Sequence, residues 1–256
     1  MIEFIDAFAM RRGHFFEFNS VKRRAVRMFS EKMKQMTTPI VKAIYEDAFI
    51  QGLVRGDIDA DAVRHYLKAD ARYLNEFAKI YALLIPKVET KEALVFLNEQ
   101  IAFAASGEVP AHHTLAAYAG ESYDDIIAQG DWYPSADHYI KHMYYQAYRY
   151  SEAAYTIAAM APCPHVYARV AQMALAAHHF DDAHPFKVWF EFYATEMDEL
   201  CHVLDQWVDD VYMSSPADVQ HQLERNFLES TIHERRFFNM AYMQECWPFE
   251  EVVNHG

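Results

Sequence analysis

Three side chains in this sequence have the right chemistry in surroundings unusual for their type. Cys163 sits between two prolines in MAPCPHVY, residues 160–167. Both prolines suit the first turn of a helix, where a missing amide proton costs little. A thiol there meets exposed amides and the positive end of the helix dipole, which favour the thiolate, the nucleophilic form. Met160, Tyr167 and Val170 lie on its apolar side. The spacing alone leaves two readings open, a nucleophile or an inert thiol acting as a small core residue. Cys201 and Cys246 have no such setting and read as structural.

Asp70 lies in HYLKADARYLNEFAKIYALL. Leu67, Asp70, Leu74, Phe77, Tyr81 and Leu84 follow steps of three and four, so they share one helix face. An ionised aspartate in an apolar stripe costs several kcal/mol, to an order of magnitude, unless it is paired or hydrogen-bonded. It is therefore a structural acid bonded to a neighbouring helix or a carboxylate lining a pocket. Glu234, in FLESTIHERRFFNMAY, shares its side of a helix with Phe227, Phe237, Phe238 and Ala241. Arg235 and Arg236 offer it an alternative as an exposed ion pair. Tyrosine is abundant, 17 in the chain, with six in HYIKHMYYQAYRYSEAAY alone. Buried hydroxyls need partners, so some of these rings should face a cavity. An aromatic cavity holding carboxylates suits a flat, nitrogen-bearing heterocycle, through stacking and charge-assisted hydrogen bonds.

A second set of donors would suit metal instead. Glu108, His112, Glu152, His178, Asp182 and His184 are carboxylates and imidazoles of the kind that bind two irons in helical bundles. The step from His178 to Asp182 is one helical turn. Surface and loop roles explain AAHHFDDAHPF equally well.

The elements that must position these groups are helices. Glycine is scarce, at seven, and helix formers dominate. Gly52 and Gly56 bracket a turn before Asp59 and Asp61, which cap a helix running to about Leu84, where Pro86 stops it. Further helices are expected over about 90–106, with Pro110 disturbing any continuation, then a short piece at 123–128, and 135–160. After the Pro-Cys-Pro break, helices follow near 164–179, 184–213 and 216–247. Ser215-Pro216 with Asp218 marks the start of the last one. The expectation is an all-α, single-domain chain over 1–256, a compact multi-helix bundle.

Composition excludes several classes. A chain of 256 residues with a formal charge of -14 is repelled by phosphate backbones and anionic membranes. No apolar run reaches the roughly 18 residues of a membrane span, and the N-terminus lacks a signal-peptide pattern. Three widely spaced cysteines make no disulfide framework, so a cytoplasmic protein with reduced thiols is expected.

Together these segments resemble the TenA family of thiaminase II type aminopyrimidine hydrolases, over roughly residues 38–247. HYLKADARYLNEFAKIYA resembles the family's Tyr-x-x-x-Asp-x-x-Tyr-Leu helix, with Asp70 and Tyr73 on its pyrimidine-contacting positions. HYIKHMY places Tyr139 on an active-site tyrosine. APCPHVY resembles the Pro-Cys-Pro-x-x-Tyr signature, giving Cys163 the nucleophile position and Tyr167 a pocket position. HPFKVWFEFY puts Tyr193 on another pocket tyrosine. ERRFFNMAYMQECW resembles the closing segment, with Glu234 as the acid and Phe237 as a stacking ring. Ala69 and Phe238 depart from the usual glutamine and tryptophan, and residues 1 to about 30 extend beyond a typical family start.

The resemblance implies a haem-oxygenase-like bundle assembled as a homotetramer. It also implies hydrolysis of an aminomethyl- or thiazolium-methyl-pyrimidine to hydroxymethylpyrimidine, for thiamin salvage, with neither metal nor organic cofactor. In that reaction the Cys163 thiolate adds to the ring, Asp70 holds the ring amino group and nitrogen, and Glu234 handles the protons. Relatives of the bundle also bind haem, quinone precursors or two irons, so a di-iron oxidase and a non-catalytic pyrimidine-binding regulator stand as rival readings.

Overall fold

The computed structural model describes residues 28–130 and 132–249. Most of the N-terminal extension therefore lies outside the described residues. Every regular element among them is helical. The helices are α1 (Met28–Glu46), α2 (Ala48–Arg55), α3 (Ala60–Leu84), α4 (Lys91–Ser106), α5 (Val109–Tyr118) and α6 (Tyr123–Ala128). They continue with α7 (Pro134–Arg149), α8 (Ala153–Met160), α9 (Pro162–Ala177), α10 (Lys187–Ser214) and α11 (Ala217–Met243), and a 3-10 turn at Ile85–Lys87 follows α3.

Local chemistry sets most of the boundaries. Asp59 caps α3 by accepting from the Asp61 amide, and Thr90 caps α4 from the Ala93 amide. Gly56, at φ +76°, closes α2 in the left-handed conformation that glycine tolerates best. Gly52 lies inside α2 rather than in a turn. Its bare Cα lets Ile58 approach so closely that a Cβ would stand 2.9 Å from the Ile58 Cβ.

Two expectations need correction. Pro110 does not end helical structure; it occupies the first turn of α5, where proline is tolerated. The span 135–160 is two helices. No proline or glycine marks the break, because a distant lysine makes it. The Lys87 ammonium donates to the carbonyls of Ala147 and Tyr150 at the end of α7. Glu152 then caps α8, and the Tyr150 and Tyr155 rings stack at 3.9 Å.

The predicted stripe of α3 is buried in full: Leu67, Asp70, Leu74, Phe77, Tyr81 and Leu84 all face the core. Each buried apolar side chain of this size contributes about 1.5–3 kcal/mol relative to exposure. This face packs against α4 and α11, while α11 also runs against α1, α7 and α8, and α9 lies along α10. Helix α1 is fastened by buried polar contacts. The Ser30 amide and hydroxyl donate to Asp209 at 2.9 and 2.7 Å, and Lys34 pairs with Asp205 at 2.7 Å. The bundle thus brings α3, α7, α9, α10 and α11 around one interior point.

Candidate functional site

Five helices contribute the predicted residues, and the fold gathers them. Tyr73 from α3, Tyr139 from α7 and Phe237 from α11 form a ring cluster, with Tyr73 5.4 Å from each of the other two. Tyr167 from α9 and Tyr193 from α10 meet at 4.7 Å. The hydroxyls are used: Tyr139 donates to Glu234 at 2.7 Å, and Tyr167 shares a 2.8 Å bond with Tyr66. Cys163 lies beside these aromatic groups, with Tyr73 and Glu234 among its polar neighbours. The Tyr73 hydroxyl is buried without a bond of good geometry, and its polar neighbours are the Cys163 sulfur and the Tyr139 hydroxyl.

Glu234 is 2% exposed, so the buried alternative is the one realised. Its neighbour Arg235 turns away and makes two bonds to Asp47, at 2.7 and 2.9 Å. Burial drives the Glu234 carboxyl upward and the charges of Asp70 and Glu108 add to that, while the bonds from Tyr139 and Cys163 oppose it; the result is about 8. This carboxyl exchanges its proton near neutral pH.

The thiol differs from the expectation. Helix α8 runs almost directly into α9, with Ala161 the single residue between them and itself in helical conformation. Pro162 and Pro164 carry no amide protons, so the usual fan of free N–H groups is depleted. Burial and the nearby Glu234 and Glu108 push the Cys163 thiol well above its ordinary range. Cys163 is therefore a neutral thiol with a base beside it, and the helix terminus does not stabilise a thiolate.

Two residues considered only as metal donors turn out to belong to this site. The His112 Nε2 stands 2.9 Å from Asp70 Oδ2, an ionic contact whose angle misses hydrogen-bond geometry. Burial works to lower the His112 pKa, but Asp70 and Glu108 outweigh it and hold it above the ordinary value. Glu108 accepts from the Tyr193 hydroxyl, and burial with the Asp70 charge raises its carboxyl to about 7. The other donors disperse. Glu152 caps α8, His178 bonds Tyr45, Asp182 pairs with Lys187, and His184 bonds the Val54 carbonyl. Among the described residues no three such side chains are grouped to hold a metal ion.

A narrow cleft reaches this point, with an interior of about 30 Å³. Cys163, Tyr167, Tyr193 and Glu108 line it, together with Phe103 and Gln100 of α4 and Met197 and Leu200 of α10.

The sequence profile of the TENA/THI-4/PQQC family matches residues 34–244. The chain belongs to that family. An aminopyrimidine aminohydrolase of Staphylococcus aureus (strain USA300) is 51% identical to this family member over 226 residues, 88% of this chain and 99% of the relative. One from Staphylococcus saprophyticus is 49% identical over 227 residues, 89% and 99% of the two chains. Among solved structures, a TenA homologue from P. horikoshii OT3 superposes with a TM-score of 0.71 at 22% identity, covering 84% of this chain and 99% of its own. A domain with a heme oxygenase-like fold from Shewanella denitrificans OS217 superposes at 0.66 with 15% identity, over 84% and 92%. These two likenesses establish the haem-oxygenase-like fold of this TENA/THI-4/PQQC member. No helix among the described residues is long and apolar enough to cross a membrane.

Proposed function

We propose that this chain is an aminopyrimidine aminohydrolase of the thiaminase II type, replacing the amine of an aminomethylpyrimidine by hydroxyl in thiamin salvage. The observation that carries the reading is the buried contact of Cys163 with Glu234, whose raised carboxyl is a stronger base toward a thiol than an ordinary glutamate. Names of relatives at about half identity over nearly nine-tenths of the chain support it.

The geometry supports the following chemistry. The ring stacks among Tyr73, Tyr139 and Phe237, and Tyr167 and Tyr193 close its other side. The Asp70 carboxylate holds the amino group and a protonated ring nitrogen, making the ring electron-poor. Glu234 takes the Cys163 proton, and the thiolate adds to a ring carbon, pushing electrons toward the protonated nitrogen. Those electrons then expel the nitrogen from the exocyclic carbon, and Glu234 gives its proton to the departing ammonia. Water adds to the exposed methylene while Glu234 takes its proton back. Finally the C–S bond breaks and the thiolate recovers its proton from Glu234. Each covalent step replaces one direct displacement that the ring would resist.

The same reading covers location and assembly. Three unpaired cysteines and an acidic surface support a cytoplasmic protein. Exposed Tyr145 and Tyr148 on α7 support association of copies as a homotetramer. The test is a turnover assay on aminomethylpyrimidine and thiamin side by side. Release of hydroxymethylpyrimidine with one ammonia per turnover is expected; binding without turnover of either compound would support a regulatory member instead.

A further inference from the structure

The cleft beside Cys163 has one acidic side chain and no basic one. Its lining includes Leu74, Phe77, Phe103, Met197 and Leu200, with Glu108 near the thiol. Asp70, Glu234, Tyr139 and Phe237, the groups that would hold the pyrimidine and its protons, do not line this cleft. A cleft that reaches Cys163 without being lined by those groups leaves room for the departing substituent on the Glu108 side. The His112–Asp70 pair balances its own charges behind Glu108, and the remaining carboxyl is aimed by Tyr193.

We infer that Glu108 is a specificity-determining carboxylate, which binds the positively charged departing group of the substrate and loses the charge of that contact once hydrolysis leaves a neutral hydroxyl. The inference rests on the activity proposed above. An apolar channel with a single carboxylate favours a small cation, since a buried carboxylate left unpaired is costly and an ammonium satisfies it with short charge-assisted bonds. Breaking the C–N bond of the held ammonium gives ammonia, which takes up the Glu234 proton and departs as ammonium. The neutral product offers Glu108 a hydroxyl donor without the positive charge, so substrate and product are told apart by charge at one position.

The experiment compares equilibrium binding of aminomethylpyrimidine and hydroxymethylpyrimidine by calorimetry, on a Cys163→Ser background, with and without Glu108→Gln. Glutamine keeps the shape and the oxygen that accepts from Tyr193. A charge-assisted contact predicts that Glu108→Gln weakens the aminomethyl compound about 10- to 100-fold and leaves the hydroxymethyl compound within about twofold. Tyr193→Phe, which removes the aiming bond but keeps the charge, should retain most of the preference for the amine. Equal weakening of both ligands by Glu108→Gln, or no change in either, would overturn the assignment. Because binding is measured, these outcomes are read even if the wild type turns over neither compound, which would defeat the activity reading alone.

Discussion

The Tyr139 hydroxyl donates to the Glu234 carboxylate at 2.7 Å, across 95 residues of sequence and at a point where both side chains are buried. This bond is one of two that restrain a carboxyl otherwise driven upward by burial and by its acidic neighbours. It sets the pH at which Glu234 can act as base toward the Cys163 thiol.

The rate should therefore rise with pH. Glu234 must be ionised to take the thiol proton, so kcat/KM is expected to climb through an apparent pKa near 8, with Glu108, near 7, broadening the limb. Glu234→Gln should remove that limb and lower kcat about 10²- to 10⁴-fold. A pH–rate profile of the two proteins checks this; an unchanged limb in the variant would assign it to another group.

Tyr139→Phe should move the same limb upward. Removing a hydrogen bond to a charged group costs the charged form about 1.5–3 kcal/mol, equivalent to roughly one to two pH units. The profile of the variant reads the shift directly, and a downward shift would contradict the bond's role.

Glu234 should also cost stability at high pH. Its folded pKa lies above the unfolded value of 4.5, so the stability it allows is complete below pH 4.5 and is lost as pH rises through about 8. Glutamine stays neutral throughout. Glu234→Gln should melt with the wild type near pH 4 and above it by several degrees near pH 9, as thermal melts across that range would record.

Asp70→Asn should destabilise the fold as well as the site. It strips His112 of its partner in the interior, and breaking a buried pair by removing one member typically costs about 3–5 kcal/mol. The His112 pKa is raised in the folded state, so the pair stabilises fully below about 6.5 and fades as pH rises through the folded value. Urea titrations should show the largest loss at acidic pH, shrinking toward alkaline pH.

Sequence periodicity exposed what lies along one helix. The α3 stripe with Asp70 inside it, the aromatic neighbours of Glu234 and the start of α9 at the prolines are all local patterns. What it could not reach depends on partners far away in the chain. The break after Arg149 is fixed by Lys87, about sixty residues earlier. Glu108 and His112 looked like metal donors because their partners, Tyr193 and Asp70, sit on other helices. The thiolate expectation failed for a related reason: burial, with acids from α5's edge, α11 and α3 around it, raises the Cys163 thiol, and no local pattern around Pro-Cys-Pro reveals that packing. Whether Arg235 or Tyr139 would claim Glu234 was likewise a tertiary matter.

The central claim is that Cys163 carries the hydrolysis of an aminomethylpyrimidine, and it is tested most directly by assaying wild type and Cys163→Ser together for hydroxymethylpyrimidine release and for pyrimidine binding. The account predicts that the serine variant binds the pyrimidine nearly as well and turns over none of it. Undiminished turnover by Cys163→Ser would contradict it.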